Sequence, residues 1–341
     1  MQASPELREG RTSARSTDTL LIAGLGSIGR RHLDNLTALG RDEIVLFRRS
    51  EASREERVPV MRDLEAALAL KPKAVLVCNP TAFHIEVALR AARAGCHLFI
   101  EKPLSDSMDG IGELCEEVDK RQLTVFVGFQ FRFHPALRQI RSWLLSSAIG
   151  EVVSVRAHWG EYLPGWHPGE DYRNGYSAQR ALGGGVVLTL SHPFDYLRWL
   201  LGEVTAVSAE AVRRSGLGLD VEDTAHVILR FACGALGSVS LDYVERPPSH
   251  ELHIVGQRGV IRWRASDGVA QLEDVDRGVS QAFRAPEGFG RNTMFIDEMR
   301  HFLACIEGRE KPLCTLEDGI RALRIALAAK RAAQEGRVVL V

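Results

Sequence analysis

The sequence predicts two domains: an α/β domain built on a parallel, doubly wound sheet, then an α+β domain with a large, mostly antiparallel open sheet. Three observations predict it. Short apolar runs alternate with helical patterns between residues 20 and 127, the rhythm that builds parallel sheets. The first run, Leu20 to Ala23, breaks directly into Gly24-Leu25-Gly26-Ser27-Ile28-Gly29 and then a helical stripe through Leu33, Leu36 and Leu39. From Gly150 onward, successive strand patterns are separated by short glycine turns, as in antiparallel sheets.

The glycine turn carries specific chemistry. Gly24 permits the turn, Gly26 lets backbone approach a pyrophosphate, and Gly29 lets the helix lie close to the strand. The helix N-terminus then offers free N–H groups and a positive dipole end to phosphates. Glycines also mark ordinary turns; the strand before and the helix after are what point to a dinucleotide. The second run, Ile44 to Phe47, ends in Arg48-Arg49-Ser50, where the side chain facing the adenine ribose belongs. An acid there would bond the 2′-hydroxyl of NAD, whereas arginine accommodates the 2′-phosphate of NADP. No acid ends this strand and Glu51 comes late, so the reading leans to NADP, with NAD the alternative.

Asp63 to Leu70 predicts a short helix and Ala74 to Cys78 a buried strand. Asn79-Pro80-Thr81 follows, with Thr81 as N-cap of a helix through Ala94. His97 to Ile100 is a strand that delivers Glu101-Lys102-Pro103 to the carboxyl edge, where open α/β sheets bind ligands. A helix over Ser105 to Arg121 and a strand over Thr124 to Val127 complete the alternation. Gly128 to Pro135 then leads into a helix through Leu145. Strands follow over Glu151–Trp159, Val204–Val212, Thr224–Phe231, Ala235–Val244, Glu251–Val255 and Val260–Trp263, and helices over Thr293–Glu307 and Thr315–Gln334.

Two stretches in this half draw chemical interest. Glu161 to Arg180 is long, aperiodic and rich in aromatic and polar side chains, the mix that stacks on sugar rings and bonds hydroxyls. Tyr162, Trp166, Asp171 and Tyr172 are its candidate substrate contacts; the alternative is a surface loop anchored by its aromatics. Gly183-Gly184-Gly185 runs into His192-Pro193-Phe194-Asp195. Pro193 suits a first helical turn, which sets His192 at a helix N-terminus where the dipole favours a neutral imidazole. Asp195 reads as a capping carboxylate.

Bulk properties narrow the function classes. The 341 residues suffice for two domains. Hydrophobic content is 45% and charged content 26%, as in ordinary soluble globular proteins. A formal net charge of −1 without long single-sign blocks argues against nucleic-acid or membrane-surface partners. No apolar run is long enough to span a bilayer. Residues 1–17 are polar, lack a signal core and read as a disordered tail. The six cysteines form no CxxC, which suits buried thiols in a reducing cytoplasm. His158, His167 and His192 supply no metal set at ligand spacing, so no metal is expected.

GLGSIGRRH, CNPTAFH, AGCHLFIEKPL and GGGVVLTLSHPFD, in that order, resemble the Gfo/Idh/MocA family of oxidoreductases from about residue 19 to the C-terminus. The resemblance implies a Rossmann domain over 18–128 and a substrate-binding, oligomerising domain over 129–341. It implies NAD(P) held by Gly24, Gly26, Ser27, Ile28, Gly29, Arg48, Arg49, Ser50, Asn79, Pro80, Thr81, His84, Glu101, Lys102 and Gln130. Lys102 and His192 become the expected catalytic pair, with Lys102 beside a nicotinamide cation that favours release of its proton. Gln130 and Arg132 fall near the interdomain cleft, and Arg132, Thr189 and His192 join the candidate substrate contacts. Many family members carry an acid three or four positions before this histidine; here those positions are Leu188 and Thr189. Asp171 and Glu161 are candidate substitutes. The implied activity is hydride transfer between NAD(P) and a sugar, cyclitol or nucleotide-linked sugar, by a homodimer or homotetramer formed through the second domain's sheet. The same resemblance admits a redox-neutral NAD-dependent glycosidase or a non-catalytic dinucleotide sensor.

Overall fold

The computed structural model describes residues 18–49 and 57–341, so the expected tail and Ser50 lie outside the described residues. Six strands form the first sheet: β1 (Leu20–Ala23), β2 (Ile44–Phe47), β3 (Val60–Met61), β4 (Ala74–Val77), β5 (His97–Glu101) and β6 (Val125–Gly128). Their order is β3-β2-β1-β4-β5-β6, and every neighbouring pair is parallel. Helices α1 (Ser27–Ala38), α2 (Leu64–Leu68), α3 (His84–Arg93) and α4 (Ile111–Arg121) make the crossovers. With helices on both faces, β1 and β4 are buried at every position, which is why they read as unbroken apolar runs rather than as alternation. The strand order reverses between β1 and β4. Ligands of such sheets bind in the crevice at that switch point, and the glycine turn and Asn79 stand there.

After α5 (Pro135–Leu145) the chain builds a nine-stranded sheet from β7 (Val152–Gly160), β8 (Val204–Val212), β9 (Thr224–Phe231), β10 (Leu236–Asp242), β11 (Ser249–Gly256), β12 (Gly259–Arg264), β13 (Val269–Asp274), β14 (Val279–Arg284) and β15 (Val339–Leu340). The order is β14-β13-β12-β11-β7-β10-β9-β8-β15, antiparallel throughout except between β7 and β10. Its strands alternate: Val155, Ala157 and Trp159 face the core, while Arg156 and His158 face outward. The helices α5, α6 (Val186–Thr189), α7 (His192–Leu201) and α9 (Leu316–Glu335) cover the inner face. The last two helices also reach back to the first domain. α8 (Arg291–Ile306) packs on α1, and α9 touches β6.

Several elements differ from the sequence reading. Thr81 does not cap α3; it opens a 3-10 turn, Thr81–Phe83, and the helix starts at His84. The helix expected from Ser105 begins only at Ile111, after Gly110 adopts a positive φ. The sequence reading does not include strands β3, β13, β14 and β15: β3 and β15 span two residues each, β14 buries no side chain, and β13 alternates in burial but places the polar Asp274 on its buried side.

Candidate active site

The glycine turn has the geometry a pyrophosphate needs. Gly24 sits at φ +101°, and a Cβ there would lie 2.6 Å from the Asn79 nitrogen. At Gly29 a Cβ would lie 2.1 Å from the Gly24 carbonyl oxygen, so only glycine lets α1 approach β1 this closely. At Gly26 a Cβ would meet nothing within 4 Å. That backbone faces open space, the room a phosphate would fill. Helix α1 has no side-chain cap and no acid in its first turn, which leaves its N–H groups and positive end available to an anion. Across the crevice, Asn79 Oδ1 and Gln130 Oε1 are buried polar atoms without a protein partner. The described residues therefore fit a dinucleotide.

Strand β5 ends at Glu101, and Lys102 follows through a cis peptide to Pro103. The half-buried Lys102 ammonium donates to the Thr189 carbonyl oxygen at 2.7 Å. That contact bridges the two domains, because Thr189 ends α6. His192 opens α7 next to it and is fully buried. Its ring stacks on Trp159 (5.3 Å, 29°) and meets the edges of Phe131 (4.8 Å) and Phe129 (5.5 Å). Burial pushes the His192 imidazole well below its usual range, and the charge of Lys102 adds to this. The ring is neutral, as expected, but the larger cause is burial rather than the helix end. Trp159 stacks in turn on His250 at 4.5 Å, and its indole N–H donates to Glu161 Oε1 at 2.9 Å.

Some expected site residues have other partners. Arg132 is not open to a substrate: its guanidinium and Asp195 are 2% and 1% exposed and make a forked pair. Nε bonds Asp195 Oδ2 at 3.0 Å, Nη2 bonds Oδ1 at 2.6 Å, and Nη1 donates to the Leu313 carbonyl oxygen. Burial opposes the guanidinium charge, but Asp195 and Asp318 outweigh it and hold the group protonated. Asp195 is thus the partner of a buried arginine and not a helix cap. His84 is buried with its ring nitrogens 2.9 and 2.8 Å from the Pro103 and Asn79 carbonyl oxygens, so it braces the crevice wall from behind. Glu101, also buried, accepts from His32 Nε2 at 2.6 Å and from the Lys102 backbone N–H at 3.1 Å. Arg49 pairs with Glu86 at 2.9 Å on the surface.

In the 161–180 segment, Asp171 is exposed and pairs with Arg173 at 2.8 Å. The Tyr172 hydroxyl donates to the Leu217 carbonyl oxygen, anchoring the segment. Trp166 packs edge-on against Tyr243 at 5.8 Å, and the Arg246 guanidinium lies 4.1 Å over the Tyr162 ring. Trp159 and Tyr243 were missed by sequence reasoning. Tyr243 is fully buried, donates to the Ser177 carbonyl oxygen at 3.3 Å and also faces the Thr189 side chain. The alternation of β7 could have flagged Trp159; nothing local flags Tyr243.

Comparison with known proteins agrees with this geometry. Residues 19–129 match the family described as "Oxidoreductase family, NAD-binding Rossmann fold", and residues 137–262 match "GFO/IDH/MocA C-terminal domain". The chain is 30% identical to the myo-inositol 2-dehydrogenase of Thermotoga maritima, covering 93% of this chain and 97% of that protein. It is 28% identical to the inositol 2-dehydrogenase of Rhizobium meliloti, over 79% of this chain and 80% of that one. Among solved structures, a levoglucosan dehydrogenase in complex with NADH and levoglucosan superposes with a TM-score of 0.84 at 22% identity, covering 95% and 99% of the two chains. The chain belongs to the Gfo/Idh/MocA family of NAD-binding oxidoreductases and is a dehydrogenase acting on CH–OH groups.

Proposed function

We propose that the enzyme interconverts a hydroxyl and a carbonyl on a cyclitol, sugar or nucleotide-linked sugar, with Lys102 moving the proton and His192 holding the reacting oxygen. The observation that carries this is the meeting of Lys102 Nζ with the Thr189 carbonyl oxygen at 2.7 Å, beside His192 and at the carboxyl edge of the dinucleotide sheet. When bound, the nicotinamide supplies or accepts the hydride. The chain's own residues do the rest. The Thr189 carbonyl aims the Lys102 ammonium, the neutral His192 offers a ring nitrogen to the substrate oxygen, and Trp159 fixes the ring plane. The aromatic side chains of Tyr162 and Trp166 would line the sugar side of the cleft. Relatives named for inositol and levoglucosan support a small polyol or anhydrosugar.

For the cofactor, Arg48 and Arg49 directly follow β2, where the side chain facing the adenine ribose belongs, and no acid ends the strand itself, which supports NADP. A solved relative with NADH bound supports NAD instead. Side-by-side calorimetric titration with NADPH and NADH decides between them. Assembly into a homo-oligomer through the second sheet belongs to the same reading and is tested by sedimentation.

Replacing Lys102 tests the mechanism. Lys102→Ala should lower turnover of the best cyclitol or sugar by about a hundredfold or more, while dinucleotide affinity stays nearly constant. Unchanged turnover in the folded variant rules out Lys102 as the proton-transfer group.

A further inference from the structure

On the outward face of the nine-stranded sheet, Glu251 and Glu273 are neutralised in cross-strand pairs. Glu251 meets Arg264 at 2.8 Å, and Glu273 meets Arg262 at 2.9 Å. One patch departs from this. His158 on β7, Asp242 at the end of β10 and Glu245 just beyond it each bring one ligand atom within 4.8 Å of the others. His158 Nε2 lies 2.5 Å from Glu245 Oε2. Among the described residues, no lysine or arginine ion-pairs with either carboxylate.

The convergence is built into the backbone. Asp242 pairs with Gly160 across the β7–β10 ladder. A Cβ at position 160 would lie 1.9 Å from Glu245 Oε2 and 2.7 Å from Asp242 Oδ2. Any side chain there would drive the two carboxylates apart; glycine lets them meet. Asp242 Oδ1 accepts the backbone N–H groups of Val244 and Glu245 at 2.9 and 2.8 Å, which leaves Oδ2 turned to the cluster. The side chains of His158 and Glu245 are each 33% exposed, so an ion can enter from solvent.

We propose that His158, Asp242 and Glu245 form a binding site for a divalent first-row transition metal of the zinc class. One imidazole nitrogen and two carboxylate oxygens are the donors such ions prefer, and three protein ligands leave coordination positions for water. Metal–ligand distances of about 2.0–2.2 Å set tetrahedral ligand atoms roughly 3.4 Å apart, so His158 Nε2 and Glu245 Oε2 must part by about an ångström to admit the ion, within the reach of side-chain rotation. The three ligands lie up to 87 residues apart in sequence, which is why spacing gave no sign of the set. His158 points away from the face on which Trp159 stacks against His192, so the ion takes no part in hydride transfer. It ties β7 to the connection that carries Arg246 onto the Tyr162 ring, clamping the base of the 161–180 segment.

The test uses the full chain stripped with a chelator and titrated with Co²⁺ and then Zn²⁺. Calorimetry should show one equivalent bound, Co²⁺ should develop a visible d–d band, and the melting temperature should rise with metal. His158→Gln and Glu245→Gln should each weaken binding at least about tenfold without changing dinucleotide affinity. Absence of stoichiometric binding by the folded wild-type protein, or binding that survives both substitutions, overturns the site and leaves a hydrogen-bonded His–Glu pair. The wild-type titration decides on its own should either variant misfold. Because metal and dinucleotide binding are read separately, failure here leaves the hydride-transfer reading untouched.

Discussion

Gly26 and Gly29 separate binding from folding at the level of single atoms. Gly26 already has a φ of −73°, and an added methyl meets nothing within 4 Å, so Gly26→Ala should leave the melting temperature almost unchanged. The methyl would occupy the space a pyrophosphate needs, so dinucleotide affinity should fall at least about tenfold, about 1.4 kcal/mol. Parallel calorimetry and thermal unfolding check both halves, and wild-type affinity in the variant would show that the turn does not contact the cofactor. Both roles were legible in the sequence because they depend on a local turn. The roles of Arg132, His84 and Asp195 were not. A polar residue near a cleft reads as a ligand contact until burial and partners are known, and all three spend their polar atoms on the protein.

At the scale of elements, the Arg132–Asp195 pair joins the turn before α5 to the first turn of α7, and so sets where His192 stands. Arg132 also reaches Asp318 at 3.2 Å, and Arg198 reaches the same carboxylate at 2.8 Å, which draws α9 into the network. Removing one partner of a buried pair strands the other's charge. Asp195→Ala should therefore cost about 3–5 kcal/mol in denaturant unfolding, more than the double change Arg132→Met with Asp195→Leu. Equal losses in the two proteins would mean the pair is not a coupled unit. Helices were read better than strands at this scale. Thr315 and Asp318 announce the start of α9 by a reciprocal capping box. By contrast, β14 buries none of its side chains, so it lacks the alternation that reveals a strand.

Across the whole molecule, buried imidazoles set how stability depends on pH. Burial lowers His134 to about 4 and His250 to about 3, and it lowers His192 and His84 as well. These rings are neutral when folded but bind protons near pH 6.5 when unfolded. The unfolded state thus holds more protons below pH 6.5, and stability falls as pH drops through that window. His134 and His250 are each worth on the order of 2 kcal/mol by pH 5. Glu298 acts in the opposite sense. Burial raises its carboxyl well above the usual value, with both oxygens unpartnered, so its contribution is lost as pH rises above about 4.5. The histidines outnumber it, so the melting temperature should peak near neutrality and fall distinctly by pH 5. A flat profile between pH 7 and 5 would contradict the neutral-histidine core.

What the sequence alone determined is whatever short-range physics controls: the βα alternation, the glycine turn, the helix that opens at His192 and the strand that delivers Lys102. Each rests on periodicity or on backbone freedom within a dozen residues. Tertiary structure decided what depends on distant partners. It brought Lys102 to the carbonyl of Thr189, set Trp159 under His192, hid Arg132 against Asp195, and gathered His158 with Asp242 and Glu245 above Gly160. Those contacts join residues from about thirty to nearly ninety positions apart, and burial, charge and proximity over such separations exist only once two sheets and their helices have packed.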